Sequence, residues 1–163
     1  MKIAMRSASV FSLVILIDRL LKNYTVSHLS ANKGFAIIPG VFHWTRVNNS
    51  GAAFGFLKQN PLFLVLVSLF FVLFLGAVWF LLLVRQMQGK AVPDTVCVVA
   101  WSLIGGGAFG NLCDRMVYGY VIDFLDFRVW PVFNLADSAI FIGVVILLWG
   151  VWQKERSRAR QAV

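Results

Sequence analysis

Negative charge is scarce in this chain: 7 Asp and Glu stand against 15 Lys and Arg in 163 residues. Histidine and cysteine number only 2 each. With no Cys/His pair at ligand spacing, no metal site and no cofactor are expected. Cys97 and Cys113 are 16 residues apart on what reads as one helix. That is about 24 Å along its axis, too far for a disulfide. Linkers, repeats and low-complexity tracts are also missing, so residues 1–163 read as a single domain.

Apolar residues are plentiful: the chain is 60% hydrophobic and 15% aromatic, with a mean hydropathy of +0.79. One soluble core of this size cannot hide that much apolar surface, which places the chain in a bilayer. A net charge of +8 invites a nucleic-acid reading. The cations, however, sit at the ends of apolar runs and form no patch interleaved with stacking aromatics, so no nucleic-acid partner is expected.

Four apolar segments, 8–26, 61–84, 95–113 and 133–152, each approach the roughly 20 residues that cross a hydrocarbon core. The expected fold class is therefore an all-α integral membrane protein with four transmembrane helices. The second segment is free of charge, whereas Asp18, Arg19 and Lys22 interrupt the second half of the first. The N-terminus imitates a secretory signal, but "DRLLK" stands where a small-residue cleavage site belongs, so it reads as a retained span. Lys2, Arg6, Arg85, Lys90, Lys154, Arg156, Arg158 and Arg160 all fall on one side of a four-span arrangement. Positive charge in short flanks marks the cytoplasmic side, so both termini are expected there. On the opposite side, "VFHWTRVN" alternates Phe42 and Trp44 with His43 and Thr45, between turn-forming Pro39-Gly40 and Asn49-Ser50-Gly51. This is the pattern of a small, half-buried extracytoplasmic β element.

Four of the seven acids, Asp114, Asp123, Asp126 and Asp137, lie between positions 114 and 137. An ionised carboxylate in a span costs roughly 2.5 to 3.5 kcal/mol on insertion scales, so such groups face a cavity or a partner. Helical spacing puts Asn111, Asp114 and Arg115 on one face at the outer end of the third span, with an adjacent Asp114–Arg115 salt bridge as the simple reading. Asn134 and Asp137 share a face at the outer end of the fourth, where the helix dipole alone accounts for a cap residue but not for an acid a turn inside. Asp123 sits in "GYVIDFLDF", an apolar segment returning toward the membrane. Asp18 and Lys22 form an acid-before-base i, i+4 pair. Gly105, Gly106, Gly107 and Gly110 give a small-residue face for close helix packing.

Two carboxylates sharing a site split their pKa values into an acid and a base, the machinery of an aspartic protease. Ser102 and Ser138 have no histidine near them to form a competing nucleophile pair. The motifs "DRLLK" (18–22), "NNSGAAFG" (48–55), "GGAFGNLCDR" (106–115), "VIDF" (121–124) and "FNLADS" (133–138) occur in this order along nearly the whole chain. Together they resemble the bacterial lipoprotein signal peptidases. That resemblance implies an inner-membrane aspartic endopeptidase that cuts signal peptides from prolipoproteins just before a cysteine carrying a diacylglyceryl group. It further implies Asp123 and Asp137 as the catalytic dyad, with Asn49, Gly51, Asn111, Arg115 and Asn134 lining the site or contacting substrate and the cyclic-peptide inhibitor globomycin. Asp18, Lys22, Asp114 and Ala136 match supporting positions. A monomer working on a lipid-embedded precursor is expected.

The segment between the two acids is shorter than is usual in the family, and Asp126 adds a carboxylate, so Asp114 with Asp137 is a second possible pairing. The Trp44 segment and a flap-like loop from 123 to 131 are expected to clamp substrate from above. The rival functions are a small transporter or channel subunit with an intramembrane carboxylate relay, and a non-catalytic scaffold. Acids gathered at one depth suit surface chemistry better than conduction.

Overall fold

The computed structural model describes residues 2–51, 61–89 and 95–161. Four long helices, α1 (Lys2–His28), α2 (Pro61–Met87), α3 (Thr95–Tyr118) and α4 (Leu135–Gln161), are joined by three short strands, β1 (Gly34–Ile38), β2 (Phe42–Asn49) and β3 (Val121–Asp126). Among the described residues three helices are long and apolar enough to cross a membrane: α2, α3 and α4. α1 matches them in length at 27 residues but fails on composition, because Asp18, Arg19 and Lys22 break its apolar run. The expectation of four spans is thus met on length and apolarity by three. Each helix also runs beyond the span expected for it, so Asp114 and Arg115 lie within α3 and not in the loop after it.

α3 is the central helix, packed against α1, α2 and α4. The expected small-residue face makes this possible. A Cβ at Gly107 would run into the Ala136 carbonyl oxygen of α4, and one at Gly106 would lie 3.0 Å from the Phe11 carbonyl oxygen of α1. α2 is the least buried of the three apolar helices α2, α3 and α4, with Leu62, Phe70, Leu73 and Phe80 all exposed. Such outward apolar surface on a helix without a single charge from Pro61 to Val84 suits a lipid surround.

The three strands form one antiparallel sheet in the order β1-β2-β3. β2 is the strand expected from the Trp44 alternation; β1 and β3 were not legible as strands. The sheet is fastened to the C-terminal end of α1 by Trp44, whose indole donates to Thr25 Oγ1 at 2.9 Å and stacks on Phe124 at 4.7 Å between ring centroids. Arg46 donates to the Leu29 carbonyl at 2.9 Å, satisfying one of the orphan acceptors that a helix end leaves. Pairing of Val47 with Asp123 and of Asn49 with Val121 then fixes β3 over the bundle.

Candidate active site

Asp123 reaches the site because of how β3 ends. Phe133 bridges back to Leu125, accepting from the Phe124 and Leu125 amides at 2.9 and 2.8 Å and donating to the Leu125 carbonyl at 3.1 Å. The intervening residues therefore close into a loop whose two ends are pinned together. A short connection here brings Asp123 beside the first turn of α4, so the brevity of this segment has a structural use. Strand alternation turns Asp123 to one face and Phe124 to the other, against Trp44.

α4 starts with Asn134 as its N-cap. Asn134 Oδ1 accepts the Asp137 amide at 2.8 Å, and Asp137 Oδ2 accepts the Asn134 amide at 3.4 Å. This reciprocal arrangement is a capping box, with aspartate in the place usually held by Glu or Gln. It corrects the expectation that Asp137 is too deep to be a cap residue: a side chain at the third helical position can reach back to the N-cap.

Asn134 Nδ2 donates to Asp123 Oδ1 at 2.7 Å and to Asn111 Oδ1 at 3.1 Å. Asn111 Nδ2 in turn donates to Asp137 Oδ1 at 2.7 Å. From β2, Asn49 Nδ2 donates to Asp123 Oδ2 at 2.9 Å, and the Gly51 amide donates to Asn49 Oδ1 at 3.1 Å. Both acids and Asn49, Gly51, Asn111 and Asn134 thus belong to one hydrogen-bonded group spanning four elements, β2, α3, β3 and α4, and the turn after β2. Asp123 is 1% exposed, whereas Asp137 is only half-buried and offers the open side. Burial first, and the charge of Asp137 second, push the Asp123 carboxyl up to about 7, against the pull of the Asn49 and Asn134 hydrogen bonds.

Beneath this group lies a buried ionic cluster. Lys22 Nζ is 2.7 Å from Asp18 Oδ2, 2.8 Å from Asp114 Oδ2 and 3.0 Å from Asn111 Oδ1. Asp18 Oδ1 accepts the Ala136 amide at 3.0 Å, tying α1 to the start of α4. Asp114 also pairs with Arg19 at 2.8 Å and accepts the Ile122 amide at 3.2 Å. These contacts account for both Asp114 oxygens. The simple reading of an Asp114–Arg115 salt bridge is replaced by the Arg19 and Lys22 pairs, and Arg115 donates to Ser68 Oγ of α2 at 3.2 Å. Arg19 was missed as a supporting residue, although its place inside "DRLLK", one helical turn before Lys22, was a usable signal.

Asp126 takes no part in this group. Its oxygens accept from Thr45 Oγ1 at 2.9 Å and from the Arg128 amide at 3.0 Å, where Arg128 turns the chain with φ of 65°. Residues 52–55 of the second motif lie outside the described residues. Among the described residues no cluster of His, Cys, Asp or Glu is arranged to hold a metal. A cavity of about 670 Å³ between α1, α2 and α3, lined by Phe11, Gly76, Trp79, Trp101 and Phe109, contains none of the expected site residues.

The family described as Signal peptidase (SPase) II matches residues 10–153. A lipoprotein signal peptidase of Halothermothrix orenii is 39% identical over 144 residues, covering 88% of this chain and 93% of that one. Another, from Moorella thermoacetica, is 43% identical over 138 residues, covering 84% and 86%. A solved bacterial membrane enzyme superposes with a TM-score of 0.77 at 27% identity, covering 92% of this chain and 89% of its own. The match runs from α1 through α4 and takes in every residue of the hydrogen-bonded group built above, and on that footing the chain belongs to the signal peptidase II family.

Proposed function

We propose that this chain is a membrane aspartic endopeptidase that removes signal peptides from diacylglyceryl-modified prolipoproteins, cutting just before the lipidated cysteine. The observation that carries this reading is the junction itself: Asp123 from a strand and Asp137 from a helix N-terminus joined through the side chains of Asn134 and Asn111. A carboxyl that changes protonation near neutral pH beside a second one supplies both an acid and a base. The ionised member takes a proton from a water that attacks the scissile carbonyl. The protonated member polarises the carbonyl oxygen and then helps protonate the departing nitrogen.

The other residues take roles that follow from their contacts. Asn49 and Asn134 hold Asp123, Asn111 holds Asp137, and Arg115 carries positive charge within electrostatic reach of both acids. Gly51 fixes the Asn49 amide through its backbone. Asp18, Lys22, Asp114 and Ala136 support from below. The proposed setting is the bacterial inner membrane, with α1 as a fourth span, both termini cytoplasmic and the sheet end on the outer side. Acyl chains anchored in the bilayer then place the scissile bond at the depth of the acids, so docking supplies much of the alignment. A monomeric single domain inhibited by globomycin completes the proposal.

The test is cleavage of a diacylglyceryl-modified precursor by the purified protein in detergent, with and without globomycin. Asp123→Asn and Asp137→Asn should each abolish cleavage while the protein stays folded. Turnover by both variants would sink the dyad; precursor left uncut by a folded wild-type protein would sink the activity.

A further inference from the structure

Three asparagines hold the two site acids, and an asparagine is useful there only if its NH2 and not its oxygen faces the carboxylate. Two of them are oriented by the backbone. The Gly51 amide must donate, so it claims Asn49 Oδ1 and leaves Nδ2 for Asp123. The Asp137 amide likewise claims Asn134 Oδ1 and leaves Nδ2 for Asp123 and Asn111.

Among the described residues no backbone amide donates to Asn111. Its Oδ1 receives Asn134 Nδ2 at 3.1 Å and Lys22 Nζ at 3.0 Å, and only then does its Nδ2 fall to Asp137. An ammonium has three donors and no acceptor, so it admits one orientation of the amide in front of it. Lys22 Nζ also forms ion pairs with Asp18 Oδ2 at 2.7 Å and Asp114 Oδ2 at 2.8 Å, while it donates a hydrogen bond to Asn111 Oδ1 at 3.0 Å. Lys22 is itself fully buried, at 0% exposure. Charge balance within the cluster needs Lys22 only as a neighbour of Asp18 and Asp114; the third contact reaches out of the cluster and into the site.

We propose that Lys22 is a positioning residue for the reaction: it locks the amide of Asn111 so that Asp137 Oδ1 always meets a donor. This rests on the Asp123–Asp137 dyad proposed above. The ionic cluster thereby has a second task besides joining α1 to α3 and α4, since it transmits the place of α1 to the reacting carboxylate through one neutral side chain.

The experiment is a double-mutant cycle on cleavage of a diacylglyceryl-modified precursor. It is run in an Asp18→Asn background so that Lys22→Gln removes one positive charge after one negative charge has gone. Glutamine can donate or accept, so it keeps the packing and loses the constraint. Lys22→Gln is expected to lower kcat by about tenfold with KM within twofold, and to have no further effect once Asn111→Ala is present, because residues acting through one another are not additive. Lys22→Arg, which keeps charge and donors, should recover part of the loss. An unchanged kcat, or the same loss with and without Asn111→Ala, overturns the proposal. So does loss of folding in both Lys22 variants by thermal melting, since the role is then structural. Activity of Asp123→Asn and Asp137→Asn enzymes would instead overturn the dyad, a result the cycle does not depend on.

Discussion

Asn134 and Asp137 cap each other: the amide of Asp137 donates to Asn134 Oδ1 at 2.8 Å while Asp137 Oδ2 accepts the Asn134 amide at 3.4 Å. The helix start and the site are therefore built from the same two side chains. An acid here costs less than one deeper in a span, because it lies at the positive end of the helix dipole and on the open side of the bundle.

Asp137→Asn separates the two roles. An Asn side chain keeps one oxygen for the Asn134 amide but gives up the charge at the helix start, about 0.3 to 1 kcal/mol, and the second acceptor, which Asn111 Nδ2 used. Thermal melting in detergent should shift down modestly while the protein stays folded. Cleavage should fall by about 10²- to 10⁴-fold, the usual share of a positioned acid or base.

Asn134→Ala should be harmful on both counts. It removes an N-cap, at about 1 kcal/mol, and strips a donor from the buried Asp123 Oδ1, at about 1 to 3 kcal/mol more. Denaturation midpoint and precursor cleavage should drop together. A variant with normal stability would show that the cap and the hydrogen bond to Asp123 are both dispensable.

The pH dependence of stability follows from Asp123. Its folded pKa of about 7 lies above the 3.8 of the free group, so the folded chain holds the proton that the unfolded chain has released. Between pH 4 and 7 the folded state binds more protons, and stability therefore falls as pH rises through that window, by on the order of 4 kcal/mol. Asp123→Asn should flatten this slope, at the cost of one of the two oxygens that accept from Asn49 and Asn134. Chemical denaturation at pH 5 and pH 8 measures it; equal slopes in the two proteins would contradict the burial of an ionisable Asp123.

Glycines of α3 and α2 make a paired packing test. Gly107→Ala would press a methyl onto the Ala136 carbonyl oxygen, and overpacking of this kind costs about 1 to 3 kcal/mol. Gly76→Ala on α2 meets no atom within 4 Å and should be tolerated or mildly stabilising. The melting temperature should fall in Gly107→Ala and hold or rise in Gly76→Ala.

The helices were readable because their signals are local. An apolar run without charge, a Gly-x-x-x-Gly spacing and an Asp18–Lys22 pair four residues apart declare themselves within one or two turns, and each has its counterpart in the structure. Even so, Lys22 does more than neutralise Asp18, and Asp114 chose Arg19, 95 residues away, over its neighbour Arg115. Adjacent residues on a helix point in different directions, which is why proximity in sequence misled here.

β3 was hidden for a different reason. Its residues bury five of six side chains, so no alternation marks it, and its partner strand β2 lies more than 70 residues earlier. That pairing, with the Leu125–Phe133 bridge, is what carries Asp123 to the start of α4.

Composition and the order of residues were enough to place this chain in a bilayer and to gather its acids near one end of a helical bundle, because hydrophobic run length and helical period act over a few residues. Which carboxylate meets which amide was decided only when strand, loop and three helices came together. Hydrogen-bond partners are chosen by distance in space, and no spacing along the chain encodes that.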